Sequence, residues 1–175
     1  MQSAAAAGAV ILPKPSRGGT PGAILTDDGL YTQPWFLNSF LDLGEDLTEA
    51  AEQCKRFAIM WEQKGCPYCQ ETHLVNFAQP DIQDFVRNNF EILQLNIFGS
   101  RKVTDFDGEE LEERSLARKS GVAFTPTIQF FPDDTTQVGG GGKAVPVAVR
   151  VGARVRARVA VALGVGGGSV AVAVG

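Results

Sequence analysis

The apolar run Phe57-Ala58-Ile59-Met60-Trp61, bounded by Arg56 and Glu62, has the length and continuity of a strand buried on both faces. A second strand is predicted over residues 91–98, where Ile92, Leu93, Leu95 and Ile97 mark the core positions. A third falls in the strand-like stretch 121–131, which Thr125-Pro126-Thr127 interrupts. Helical segments separate them. Residues 44–55 carry acids in the first turn and Lys55 at the end, the arrangement that a helix dipole favours, with Cys54 inside the helix. Residues 70–76 continue past the cysteines with no breaker, and Pro80-Asp81 starts a helix that runs through Phe90. Residues 101–108 read as a hairpin or loop turning at Asp107-Gly108, and 109–120 as a charged helix capped by Gly121. Strand and helix alternate throughout, so the fold class is α/β.

Between the first strand and the helix after it stands Gly65-Cys66-Pro67-Tyr68-Cys69. Two cysteines separated by two residues at a helix start can close and reopen a small disulfide. The free N–H groups and positive dipole end favour a thiolate at Cys66, which makes it the attacking sulfur, and Cys69 one turn on is suited to resolve. Pro67 fits the first helical position, where its missing N–H is not needed. The competing readings are half of a zinc site, using Cys66, Cys69 and His73, and a purely structural disulfide. Zinc lacks a fourth ligand nearby, since Cys54 belongs to another helix.

Pro126 also needs a reason, because proline cannot donate to a sheet ladder. A cis Thr125–Pro126 bond would turn the chain and leave the Thr125 backbone free to pair with an extended substrate. A trans proline at the first residue of a strand is the alternative.

With the cysteine pair and the Thr-Pro-Thr element in hand, the chain resembles the thioredoxin superfamily over about residues 29–132. Within it, the chain is similar to the SoxW-like periplasmic thioredoxins of bacterial sulfur oxidation. The resemblance rests on Gln33-Pro34-Trp35-Phe36, residues 60–73, Leu95-Asn96-Ile97-Phe98-Gly99, Asp105-Phe106-Asp107-Gly108 and Thr125-Pro126-Thr127. It implies a thioredoxin-like fold with a central mixed sheet flanked by helices, Cys66 as nucleophile, Cys69 as resolving thiol and a cis Pro126 across from the pair. The implied activity is thiol-disulfide exchange, reducing disulfides of extracytoplasmic proteins. The implied partners are disulfide-containing protein substrates and a membrane thiol-disulfide electron donor. No cofactor, metal or nucleic acid is expected, and the chain should be a monomer in the periplasm, with the cytoplasm as the other compartment. A glutaredoxin-like reductase shares Cys-Pro-Tyr-Cys but carries Thr-Val-Pro where Phe124-Thr125-Pro126 stands here. A redox-inert binding module on the same fold is the third reading, and fold alone does not decide among them.

One departure concerns the buried acid that many thioredoxins place six residues before the first cysteine. Met60 occupies that place. Glu62 is a candidate substitute, although a charged residue at a strand end is ordinarily solvated, and His73, one turn past Cys69, is a candidate tuning group whose plain reading is a partly exposed helix residue.

Of 175 residues, 44% are hydrophobic, enough to bury one core. Charge is unevenly divided. Residues 1–138 hold eleven Lys/Arg and all twenty Asp/Glu, net −9, whereas 139–175 hold five Lys/Arg and no acid, net +5. Residues 1–28 read as a signal remnant or flexible arm, apolar over 4–12 but with no basic residue ahead of that run. The domain is expected over 29–138. Residues 139–175 contain eleven Val, ten Gly, eight Ala and four Arg, and no aromatic residue. This tail stands where a last strand and helix belong, and it reads as a low-complexity extension or the product of a shifted reading frame after about Val138. The other reading is a basic strand or membrane-surface segment over 150–159.

Overall fold

The computed structural model describes residues 22–132. The tail, its aberrant strand and helix region, and residues 1–21 of the N-terminal arm lie outside the described residues. A short hairpin, β1 (Ile24–Leu25) and β2 (Tyr31–Thr32), precedes helix α1 (Leu43–Glu52) and strand β3 (Arg56–Glu62). Helix α2 (Pro67–Glu71) follows and widens into a π-helical turn over Thr72–Asn76. Then come α3 (Pro80–Asn89), β4 (Phe90–Asn96), the β5 (Lys102–Thr104) and β6 (Glu110–Glu112) hairpin, α4 (Glu113–Lys119) and β7 (Thr127–Phe130).

The central sheet has the order β4-β3-β7, so β3 is the strand hydrogen-bonded on both edges. It runs parallel to β4, with Trp61 beside Leu95, and antiparallel to β7, with Trp61 beside Thr127. This is the mixed sheet of a thioredoxin-like α/β fold. A strand flanked on both edges and covered on both faces must be apolar throughout, which is why residues 57–61 show no alternation. Phe57, Ile59 and Trp61 face Leu43, Leu47 and Ala50 of α1 and Leu116 and Ala117 of α4. Ala58 and Met60 face the other way, toward Ile92, Phe77 and the partly buried Ile82 and Val86 of α3. Buried among these groups, the Trp61 indole donates to Gln129 Oε1 at 2.5 Å, so its one polar atom has a partner.

Several boundaries differ from expectation, among them those of β4, which takes in Phe90 and ends at Asn96 rather than at residue 98. Helix α1 ends at Glu52; Cys54 lies past it, exposed and in a left-handed conformation (φ 56°), and Lys55 pairs with Glu91 of β4 rather than closing the helix. Helix α4 starts at Glu113, because residues 110–112 are drawn into pairing with β5. The helix after the cysteines changes to π geometry at Thr72. Gly121, with φ at +71°, does follow the end of α4 as a cap requires. Gly99 is needed for a different reason: a Cβ there would sit 1.9 Å from Oε2 of Glu113, a buried carboxylate that accepts from the Asn96 and Arg101 amides and pins the end of β4 to α4.

Asp42 caps α1 by accepting from the Gly44 and Glu45 amides, and Asp46 lies buried in the first turn, accepting from Ser39 Oγ at 2.7 Å. Burial pushes the Asp46 carboxyl up to about 6 from 3.8, against the pull of the Ser39 bond and with help from Glu49, Asp42 and Glu45. A carboxyl raised in the folded state contributes stability that is complete below its ordinary value and lost as pH rises through about 6. Asp46→Asn keeps an acceptor for Ser39 without the charge. Urea unfolding should find it more stable than the parent at about pH 8, by about 1–3 kcal/mol, with the difference vanishing near pH 4.

Candidate active site

Strand β3 delivers its C-terminal end to a three-residue turn closed by Gly65, whose φ is +75°. Cys66 follows as the N-cap of α2, with Pro67 in the first turn. Cys66 and Cys69 are joined as a disulfide with Cα atoms 5.3 Å apart. The Cys66 sulfur accepts from the Cys69 amide at 3.1 Å, so the helix start points a backbone donor at the first sulfur. Tyr68 between them is exposed, whereas Cys66 is 7% and Cys69 4% accessible. Both cysteines are thus nearly covered, and Cys66 is the more open.

Glu62 and His73 differ from their plain readings. Glu62 is fully buried and His73 is 1% exposed. The wide π turn sets His73 facing inward, between Phe36 and Phe77, and its Nε2 lies 3.0 and 3.1 Å from the two Glu62 carboxylate oxygens. Gln94 Nε2 also donates to Glu62, and to the Tyr31 carbonyl at 2.6 Å. On the far side of the imidazole, Gln33 Nε2 lies 3.3 Å from Nδ1 and donates to the His73 carbonyl at 3.0 Å. A strand end is solvated only when nothing covers it; here the β1–β2 hairpin, β4 and the π turn all converge on it.

Glu62 shares with the cysteines a cavity of about 100 Å³, walled also by Gly29, Leu30, Tyr31 and Gln70. A larger concavity of about 510 Å³ opens at the opposite end of the sheet, beside Lys55 and Phe90, and no thiol lines it. The Thr125–Pro126 bond is cis. Because Thr127 is paired with Trp61, the two residues before it lie level with the end of β3 from which the cysteine turn departs. Neither lines the small cavity. The Thr127 hydroxyl donates to the Phe124 carbonyl at 2.7 Å, while the covered Thr125 hydroxyl has no hydrogen-bond partner among the described residues. No cluster of three metal-ligating side chains occurs among the described residues.

Sequence reasoning missed Gln33 and Gln94. Gln94 had a signal, as a polar residue between Leu93 and Leu95 in a core strand; Gln33 had only its place beside Pro34-Trp35-Phe36.

A family model described as a thioredoxin-like domain matches residues 43–144. Among solved structures, a thioredoxin-fold protein from Helicobacter pylori is similar at 18% identity and a TM-score of 0.44, over 57% of this chain and 62% of that one, less than two thirds of its length. No curated protein matches the chain.

The Glu62 carboxylate depends on its donors, because a buried charge that loses one keeps the cost of its lost hydration. Gln94→Leu strips a donor from both Glu62 and the Tyr31 carbonyl at almost constant volume. It should lower stability by about 1–3 kcal/mol in urea unfolding; an unchanged midpoint would mean that water replaces the amide.

Proposed function

We propose that this chain, which belongs to the thioredoxin-like domain family, is a thiol-disulfide oxidoreductase that reduces protein disulfides through Cys66 and Cys69. The observation that carries the reading is the disulfide at the junction of β3 and α2, with Cys66 as the helix N-cap. In the reduced form the same amide that reaches the Cys66 sulfur favours its thiolate, and the thiolate is the attacking species. It displaces one substrate sulfur and forms a mixed disulfide. Cys69 then attacks Cys66, the Cys66–Cys69 bond re-forms and the second substrate sulfur leaves as a thiol. The Thr125 backbone, next to the cis proline, is the proposed docking strand for the substrate, and exposed Tyr68 and Phe124 offer apolar contact.

The finer reading is reduction of extracytoplasmic proteins in the periplasm, by a monomer that draws electrons from a membrane thiol-disulfide transporter. Its support is the resemblance of the quoted motifs to SoxW-like thioredoxins. Retention of both cysteines speaks for exchange chemistry over an inert binding role.

Two measurements test this. The protein should accelerate the reduction of insulin by dithiothreitol at least several-fold, and Cys66→Ser should abolish the effect; a folded sample with no acceleration would leave a binding module as the reading. Cys69→Ser should trap substrate on Cys66 as a mixed disulfide. Trapping by Cys66→Ser instead would reverse the two roles.

A further inference from the structure

We propose that the concavity at the end of the sheet opposite the cysteines binds a small zwitterion of the amino-acid class, with Arg87 taking its carboxylate and Asp84 its ammonium. This site stands apart from the thiol chemistry and does not rest on it.

The sheet register separates the two places. Arg56 pairs with Phe90 at one end and Glu62 with Asn96 at the other, and six steps of roughly 3.3 Å put about 20 Å between them. The concavity encloses about 510 Å³, within the range of small-molecule sites, and is lined by Trp35, Lys55, Asp84, Arg87, Asn88 and Phe90. Three stretches remote in the chain converge there: Trp35, Lys55 just ahead of β3, and residues 84–90 at the junction of α3 and β4. Asp84, Arg87 and Asn88 stand at steps of three and four along α3, so they share the helix face that borders the concavity.

Charge pairing decides what the site fits. Lys55 is engaged by Glu91 of β4, and the two cancel. Among the described residues, Arg87 and Asp84 have no ion pair or hydrogen bond of the side chain, with each other or elsewhere. What remains is one cation and one anion held apart. A simple anion would meet Asp84 unfavourably and a simple cation would meet Arg87 unfavourably, whereas a molecule carrying both charges satisfies both. A guanidinium can hold a carboxylate through two parallel N–H bonds, with the Asn88 amide as a further donor beside it. The Asp84 carboxylate accepts from the ammonium. Trp35 and Phe90, both partly buried against the core, supply apolar wall for an apolar side chain. The Trp35 N–H is covered and has no hydrogen-bond partner among the described residues, so an acceptor arriving beside the ring would relieve an unfavourable donor. Singly, an exposed arginine or aspartate on a helix is an ordinary solvated residue. The site is their convergence, unpaired, with an aromatic wall in one concavity.

The probe is L-phenylalanine, compared with phenylpropionate, which lacks the ammonium, and phenylethylamine, which lacks the carboxylate. The readout is the indole N–H resonances of the nitrogen-labelled full chain. Of its two tryptophans, Trp35 lines the concavity and Trp61 is bonded to Gln129 in the core, so Trp35→Phe assigns the signals and Trp61 reports an intact fold. Phenylalanine should move the Trp35 signal saturably, with a dissociation constant on the order of 1 mM, and leave Trp61 in place. Each analogue should bind about tenfold or more weakly, as should phenylalanine to Arg87→Ala and to Asp84→Asn, because each case loses one charge-assisted bond. Both side chains are exposed, so neither substitution removes a core contact. Phenylpropionate binding as tightly as phenylalanine would make this an anion site and overturn the assignment, and equal binding of the amine would overturn it in the other direction. Absence of a saturable Trp35 shift, or an affinity that neither substitution changes, would remove the site altogether.

Discussion

A carboxylate with no access to solvent at the end of the central strand is the constraint around which the site is arranged. Glu62 cannot be left without donors, because a buried charge recovers its lost hydration only through hydrogen bonds. Those donors come from segments remote in the chain: Gln94 from β4, and His73 from the π turn, which Gln33 in turn holds. Each must be in register for the carboxylate to be tolerated. The seven-residue parallel pairing of β3 with β4 places Asn96 opposite Glu62 and brings Gln94 within reach, so sheet register and site assembly are one requirement.

The π-helical turn belongs to the same requirement. Cys69, His73 and Phe77 are all buried and recur at steps of four, which makes one stripe from the redox pair down to the core beneath β3. In a regular α-helix a step of four residues overshoots a full turn, so such a stripe drifts around the axis. A wider turn takes back that drift. The Phe77 amide reaches the Thr72 carbonyl at 2.9 Å, five residues back, which is the bond that defines the widening. Single π turns of this kind are common at functional sites, and here the turn carries the histidine that faces Glu62.

Much of the fold was legible because its signals are local. Residues 57–61 could be read as a doubly covered strand, the Gly65–Cys69 stretch as a strand-to-helix junction, and Thr125-Pro126-Thr127 as a place where a sheet must accommodate a proline. The extent of α4 is not legible, because residues 109–112 have helix-compatible composition and only pairing with Lys102–Thr104 makes the last three of them a strand. The burial of Glu62 and His73 was hidden for a related reason. Their setting is defined by partners 32 to 40 positions away, and a glutamate at a strand end looks the same in sequence whether water or a glutamine amide faces it. Polar residues inside apolar stretches, Gln94 above all, are the one trace such a network leaves in a sequence.

The β1–β2 hairpin shows how closely the charge and its seal are joined. Two-residue strands give little pairing of their own. The turn is held by Thr26, whose amide and hydroxyl both reach the Leu30 carbonyl at 2.8 Å, and by the approach of Gly29 to Lys64, where a Cβ would meet the lysine stem at 3.0 Å. Its inner end is fixed by the Gln94 amide, the same group that donates to Glu62. Gly29, Leu30 and Tyr31 form one wall of the cavity that Glu62 shares with the cysteines. A single side chain of β4 therefore both satisfies the buried charge and fastens the wall that keeps bulk water from it. Loosening that contact would hydrate the carboxylate and open the cavity together, so the environment of the redox pair is coupled to the packing of the hairpin.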